Sequence, residues 1–144
     1  MRHFFLYWLP LLAWMMIIFM LSHQNGDTSS QTSEWVLNLL QWLNIDLETL
    51  RQAGFRLLVR KAAHMTEYFV LYLLVFRLIK LSKPLKTSLW VSLLFTLAYA
   101  STDEFHQIYI PGRVGTIFDV GIDGIGATIA LLLCWYYYRR KTNN

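Results

Sequence analysis

Three pairs of titratable residues, each three or four positions apart, stand out in an otherwise apolar chain. The pairs are His64 with Glu67, Asp103 with His106, and Asp119 with Asp123. Residues at this spacing share one face of a helix. Each pair therefore presents a carboxylate beside a second titratable group, provided that its segment is helical. Imidazoles and carboxylates act as general acids and bases and also bind metal ions.

These residue types give three sets of candidate site residues. The candidates for acid–base catalysis or metal binding are His64, Glu67, Asp103 and His106. The candidates for binding a substrate are Gln24, Lys61, Glu104, Gln107, Arg113, Asp119 and Asp123. The candidate ligands of a divalent metal are Glu67, Asp103, His106, Asp119 and Asp123. Because no H-E-x-x-H pattern occurs, the sequence is compatible with a metal without requiring one.

Each of these residues also has a purely structural explanation. His64 can be a neutral interior histidine, and Asp103 can pair with Arg113. Asp119 and Asp123 can form a satisfied pair near the surface. As a set they favour function, because burying ion pairs seldom stabilises a fold and ionisable residues inside a membrane usually mark a site.

The elements that position these residues are predicted to be membrane spans. The chain has 144 residues, of which 56% are hydrophobic, against about 45–50% in soluble domains. A bilayer core is crossed by about 20 helical residues, and backbone groups in lipid must be satisfied internally. Four apolar stretches have about this length, at residues 4–21, 57–79, 85–102 and 114–138. We expect an all-α fold, a polytopic four-transmembrane-helix bundle forming a single domain over residues 1–144.

Charge predicts the orientation of this bundle. Short basic segments mark the cytoplasmic side, and residues 80–86 and 139–141 are both basic. We therefore expect both termini to be cytoplasmic and the polar pairs to lie at the outer face. The first stretch is longer than the apolar core of a secretory signal and has no A-x-A site after it. It is therefore predicted to be a span.

Smaller features complete the prediction. In the first external loop, residues 34–43 favour a short interfacial helix, either packed on the bundle or acting as a lid or a gate for lipids. Gly121, Gly124 and Gly126 favour close helix packing. The turn at Pro111-Gly112 would bring Arg113 over the carboxylates. The basic residues flank apolar spans rather than forming a solvated stripe, so nucleic acid is not an expected partner.

Together these motifs resemble the VanZ-like family of small bacterial membrane proteins. The matching segments are Ser22-x-Gln24, Lys61-Ala62-Ala63-His64-x-x-Glu67-Tyr68, Asp103-Glu104-x-His106-Gln107, Pro111-Gly112-Arg113 and Asp119-Val120-x-x-Asp123-x-x-Gly126. The resemblance implies a multi-pass protein of the bacterial plasma membrane. Some members of that family are linked to reduced susceptibility to teicoplanin, a glycopeptide that acts on cell-wall precursors outside the membrane. The resemblance implies no particular biochemical activity.

Three functions are compatible with this sequence. The first is an outer-face enzyme acting on a lipid-linked or glycan component of the cell envelope. Lys61 and Arg113 would hold a phosphate, and His64 or His106 would be the base. The second is a non-enzymatic protein that binds a lipid or a drug, or regulates a membrane complex. The third, a proton-coupled lipid transporter, is disfavoured because the polar residues stop in the outer half. Membrane lipids and a lipid-linked cell-wall precursor are the expected partners, and the choice between enzyme and binding protein stays open, as does the oligomeric state.

Overall fold

The computed structural model describes residues 4–24 and 55–143, and these residues are mostly helical. Short connections join the helices within residues 55–143. A π-helical turn, Phe4–Trp8, leads into α1, Leu9–Ser22. The other helices are α2, Phe55–Ile79, α3, Leu85–Gln107, and α4, Ile117–Asn143. No strand occurs within the described ranges, so the all-α prediction is confirmed there. The predicted interfacial helix at residues 34–43 lies outside the described residues.

Three helical segments are long and apolar enough to cross a membrane. They are Phe4–Ser22, Leu58–Ile79 and Ile117–Lys141. The structure therefore contains helices that correspond to three of the four predicted spans, as expected of a membrane protein. Helix α3 does not reach the same apolarity because hydroxyl residues line its inner face. Ser88, Ser92 and Thr96 are all buried there.

The hydroxyl face of α3 is adapted to helix packing. Thr96 donates its hydroxyl hydrogen to the Ser92 carbonyl oxygen at 2.8 Å, and Ser88 Oγ donates to the Pro84 carbonyl oxygen at 3.0 Å. Small side chains that satisfy themselves on their own helix let neighbouring helices approach closely. The opposite side of α3 is apolar and exposed, with Leu94 65% accessible.

Two helix ends differ from the predicted spans. Helix α3 continues to Gln107 rather than stopping near residue 102, so Asp103 and Gln107 lie on its last turns. Helix α4 begins at Ile117 rather than at residue 114. The backbone N–H of Asp119 donates to Thr116 Oγ1 at 3.2 Å, which makes Thr116 the capping residue of α4.

Helix α2 lies at the centre of the packing and contacts every other described helix. Helix α4 contacts both α2 and α3. Apolar side chains such as Tyr72 and Leu89 pack between these helices. Helix α1 attaches through a second apolar cluster that includes Ile18 and Leu71. It is also held by a hydrogen bond of 2.9 Å from Trp14 Nε1 to the carbonyl oxygen of Glu67.

The predicted close packing of glycines is found at α4, although not at every glycine. A Cβ at Gly126 would overlap the backbone carbonyl oxygen of Met65 in α2. At Gly124 a Cβ would lie 3.0 Å from the Leu97 side chain, whereas at Gly121 nothing lies within 4 Å. Gly126 therefore sets the distance between α2 and α4, the two helices that carry most of the polar pairs.

We expect Gly126→Ala to lower the free energy of unfolding by about 1–3 kcal/mol, because backbone atoms must move to admit the methyl group. Gly121→Ala on the same helix is the matched control. It should be neutral or stabilising by up to about 1 kcal/mol, since alanine favours helix more than glycine does. Thermal unfolding of both variants in detergent measures the difference. Equal destabilisation by the two substitutions would contradict the contact.

Candidate functional site

The alternating directions of the four described helices bring the polar segments together at one end of the bundle. The last turns of α1 and α3 meet the N-terminal parts of α2 and α4 there. Residues of α2, α3, α4 and the connection between α3 and α4 surround a cavity of about 290 Å³. Its lining residues are Arg60, Lys61, His64, Glu104, Gln107, Gly112, Val114, Thr116, Asp119, Ile122 and Asp123. Many of the residues selected from sequence therefore share one cavity.

The base of the cavity holds three side chains from three helices, His64 of α2, Glu104 of α3 and Asp123 of α4. One nitrogen or oxygen atom of each lies within 4.8 Å of the others. His64 Nδ1 is 3.6 Å from Asp123 Oδ1, which is ion-pair distance but too long for a hydrogen bond. Asp123 is only 1% exposed, and neither of its carboxylate oxygens accepts a hydrogen bond from any described residue.

Glu104 fastens the start of α4 to α3. Its Oε2 accepts the backbone N–H of Thr116 at 3.0 Å, and its Oε1 accepts a hydrogen bond from Gln107 Nε2 at 3.2 Å. Glu104 lies beyond the apolar part of α3. Burial raises the pKa of its carboxyl group above the usual value, and the hydrogen bond from Thr116 opposes that shift.

Thr116 was not among the residues selected from sequence. Besides capping α4, it donates its hydroxyl hydrogen to Asp119 Oδ2 at 3.0 Å. A threonine three positions before an acidic residue is a recognisable capping pattern at a helix start. That signal lies in the printed sequence and would have found both Thr116 and the true start of α4.

The mouth of the cavity carries positive charge. Lys61 Nζ lies 3.1 Å from Asp119 Oδ1, and both side chains are partly exposed. Arg60, one position earlier, lines the same cavity. No carboxylate of the described residues lies within ion-pair distance of Arg60, although its charge acts on both His64 and Glu104. Arg60 is thus a cationic residue of the cavity beside Lys61. Unlike Lys61, it was not among the residues selected from sequence.

Arg113 lies behind the cavity wall rather than in its lining. The predicted turn is present, with the Arg113 N–H donating to the Ile110 carbonyl oxygen at 3.1 Å and Gly112 at φ 74°. Only residues that tolerate positive φ, glycine above all, suit the third position of this turn. The turn aims the guanidinium group at the end of α1.

All three guanidinium nitrogens of Arg113 have acceptors. Nη2 donates to the Leu21 carbonyl oxygen at 2.8 Å, and Nε donates to that of Gln24 at 2.8 Å. Nη1 donates to Gln107 Oε1 at 3.2 Å. Burial lowers the pKa of Arg113, and the nearby Arg60 reinforces that shift. Carbonyls at a helix end lack intrahelical partners, so Arg113 joins α1 to the site, and Gln24 takes part through its backbone.

Three further candidates also stand outside the cavity lining. Asp103 is buried, and its Oδ2 accepts a hydrogen bond from Gln107 Nε2 at 3.1 Å. Glu67 is half-buried, within electrostatic range of Asp103 and Arg113. His106 faces α1 instead of Asp103, and its Nε2 lies 3.1 Å from Nδ1 of His23. The catalytic and metal-binding roles of these three residues remain predictions.

The pairing of His23 with His106 is a second feature that sequence analysis did not select. The two imidazoles stack with ring centroids 5.4 Å apart, and Phe19 stacks on His106 at 5.0 Å. Spacing along one helix cannot reveal this contact, because the partners belong to α1 and α3. The position of His23 at the polar end of the first span was the available signal.

Fold and site together define a class, a small all-helical membrane protein with a buried acid–histidine site at one end of its bundle. The family model described as VanZ/LLP1 matches residues 5–138 of the chain. The chain belongs to this family, in agreement with the resemblance of its motifs. Comparison with curated proteins and with solved structures gave no match.

We expect Arg113→Lys to destabilise the protein by about 2–3 kcal/mol, because an ammonium group cannot reach three acceptors in the guanidinium geometry. Arg139→Lys is the control. Arg139 is exposed at the opposite end and lies 5.0 Å from the Trp135 ring centroid, a contact worth about 0.5–1 kcal/mol. Thermal unfolding in detergent distinguishes them. Wild-type stability of Arg113→Lys would show that the contacts to α1 contribute little.

Proposed function

We propose that this protein binds the phosphate-bearing headgroup of an envelope lipid or a lipid-linked cell-wall precursor at the outer face of the plasma membrane. In this proposal all four described helices cross the bilayer and both termini are cytoplasmic. One observation carries it. A single cavity combines cationic side chains at its mouth with a buried acid–histidine cluster at its base.

The distribution of basic residues supports this orientation. At the end of the bundle away from the cavity stand Lys80, Lys83, Lys86, Arg139, Arg140 and Lys141. Arg139 lies over the Trp135 ring and Arg140 over the Tyr136 ring, at 5.0 and 4.8 Å from the ring centroids. Trp and Tyr are enriched at membrane interfaces, and an excess of lysine and arginine in short segments marks the cytoplasmic side. The cavity would then open on the opposite, outer side.

Exposed apolar side chains around the cavity mouth support the proposal that the ligand is a lipid. Ile117 and Phe118, in the first turn of α4, are 84% and 80% exposed, and the exposed Val114 lines the cavity itself. Apolar side chains at such a place suit acyl chains, while the cavity takes the polar part. A volume of about 290 Å³ lies at the lower end of ligand pockets, at about 300–1,000 Å³, and matches a headgroup better than a whole lipid.

The positive charge of Arg60 and Lys61 supports the proposal that the headgroup carries a phosphate. Arg60 has no acidic partner among the described residues, and Lys61 shares Asp119 with Thr116. Arginine and lysine bind phosphate through charge-assisted hydrogen bonds, which are stronger than neutral ones. An anionic headgroup at the mouth would supply the acceptor that Arg60 does not find among the described residues.

Catalysis on the bound headgroup is the second candidate function. It is favoured by Asp123, a buried carboxylate that accepts no hydrogen bond from a described residue and lies next to His64. An imidazole beside a carboxylate is the arrangement of a general base and its orienting group.

Under the binding proposal, capture of a lipid-linked precursor outside the membrane would account for reduced susceptibility to teicoplanin.

Cysteine labelling of intact cells tests the orientation. In a Cys134→Ser background, Tyr109→Cys marks the cavity end and Ser82→Cys marks the connection between α2 and α3. Both positions are exposed. We expect a membrane-impermeant maleimide to label Tyr109→Cys in intact cells and Ser82→Cys only after permeabilisation. The reverse pattern would place the cavity in the cytoplasm.

Lipid binding tests the site. We expect the purified protein to bind a polyprenyl monophosphate but not the corresponding polyprenol, as measured by native mass spectrometry. Arg60→Gln should weaken this binding at least tenfold, because a charge-assisted hydrogen bond contributes about 1.5–3 kcal/mol. Lys86→Gln at the opposite end is the control and should bind as wild type does.

Two further probes sharpen the result. Phosphatidylglycerol distinguishes general recognition of anionic lipids from recognition of the polyprenyl phosphate. In cells, Arg60→Gln should also lose any protection against teicoplanin that the wild-type protein confers. Equal binding of polyprenol and polyprenyl phosphate, or an unchanged Arg60→Gln variant, would overturn the headgroup proposal.

A further inference from the structure

We infer that His64, Glu104 and Asp123 bind one divalent transition-metal ion at the base of the cavity. These three side chains come from three different helices, yet their potential ligand atoms lie within 4.8 Å of one another. The set differs from the one that sequence suggested. Asp123 comes from the predicted metal set and His64 from the predicted acid–base or metal-binding set, whereas Glu104 was predicted only to bind a substrate. The cluster leaves out the other four predicted metal ligands, Glu67, Asp103, His106 and Asp119.

The state of Asp123 is the observation that points to a ligand. Its side chain is buried and lines the cavity, and neither oxygen accepts a hydrogen bond from a described residue. A buried carboxylate without a donor is costly, because it loses its hydration and gains no partner. His64 Nδ1 is likewise buried without a hydrogen bond. A cation between these two residues would satisfy both.

Glu104 is held in a suitable orientation by its own partners. Gln107 donates to one carboxylate oxygen and the Thr116 backbone to the other. A carboxylate oxygen has about two lone-pair sites, so each keeps one free for an ion. Hydrogen bonds of this kind orient the side chains that coordinate metals and are part of the design of such sites.

The spacing requires only a modest closure of the side chains. Metal bonds of about 2.0–2.2 Å place two ligands of a tetrahedral ion roughly 3.4 Å apart. The present limit of 4.8 Å is larger by an amount that rotations of the His64 and Asp123 side chains can remove. Three protein ligands would leave at least one coordination position open, and that position would face the cavity.

The donor set selects the class of ion. One imidazole and two carboxylates combine a borderline nitrogen ligand with hard oxygens, which suits Zn²⁺ or Mn²⁺. Ca²⁺ takes six to eight oxygens at about 2.3–2.6 Å and fits this cluster poorly. The two carboxylate charges would balance a divalent cation. They would also separate it from Arg60 at the mouth.

The ion gives the proposed headgroup site a second point of attachment. A phosphate in the cavity could bind the open position of the ion with one oxygen and Arg60 with another. Attachment of a phosphate to the ion rests on the proposed function, whereas the metal site itself rests only on the three side chains. The two claims can therefore fail separately.

Metal binding without lipid is the decisive experiment. Wild-type protein stripped with a chelator in detergent should take up one equivalent of Zn²⁺ or Mn²⁺, measured by titration calorimetry and elemental analysis. Asp123→Asn and His64→Gln should each weaken this binding at least tenfold. His23→Gln is the matched control for His64→Gln, because His23 is an imidazole at the same end of the bundle yet lies outside the cluster. It should bind within twofold of wild type.

Stability provides the folding control. The metal should raise the melting temperature of the wild type, since a ligand that binds only the folded state stabilises it, and should not raise that of Asp123→Asn. Without metal, Asp123→Asn should be at least as stable as wild type, because it removes a buried carboxylate that accepts no hydrogen bond from a described residue. Three results would overturn the site: no stoichiometric binding by the wild type, binding retained by Asp123→Asn, or binding lost in His23→Gln as much as in His64→Gln. Binding of the polyprenyl monophosphate with and without chelator then tests the headgroup claim independently.

Discussion

The hydrogen bond between the Glu104 carboxylate and the Thr116 backbone N–H is the contact on which the polar end of the bundle depends. It joins α3 to the first turn of α4. From Glu104 the network continues through Gln107 to Arg113, and from Arg113 to the last carbonyls of α1. Lipid offers no partners for polar groups, so each of these residues must be satisfied by another part of the protein. The cavity exists because this network surrounds it without filling it.

Helix geometry explains why so much polarity can be concentrated at one end. Asp123 and Gly126 stand three positions apart on α4, so the residue that faces the cavity and the residue that sets the contact with α2 share a face. Contact of Gly126 with the Met65 carbonyl brings α2 close enough for His64 to approach Asp123 at 3.6 Å. Close packing and site geometry are thus consequences of the same helix face.

Periodicity and apolar length predicted the helices and the end of the bundle where polar residues meet, because both are properties of single segments. The pair of Asp119 and Asp123 was predicted in the same way, and both line the cavity. The spacing of residues along one helix did not predict which side chains form contacts between helices. Asp103 and His106 are correctly spaced, yet Asp103 accepts a hydrogen bond from Gln107 while His106 turns to His23. Glu104 was selected only as a binding residue, since its proximity to His64 arises from tertiary packing.

The way in which α1 is attached determines which of the residues at its contacts can be substituted. Trp14 and Arg113 reach across the boundary of α1, and Tyr99 does so as well, with its hydroxyl 2.8 Å from the Met15 carbonyl oxygen. Every acceptor in these three bonds is a backbone carbonyl, which any amino acid supplies. Substitutions at the accepting positions leave the acceptors in place, so selection on these three hydrogen bonds acts through their donors, beside selection on the apolar cluster that includes Ile18. The lipid-facing residues of α1 can therefore change while the helix keeps the same position against the bundle.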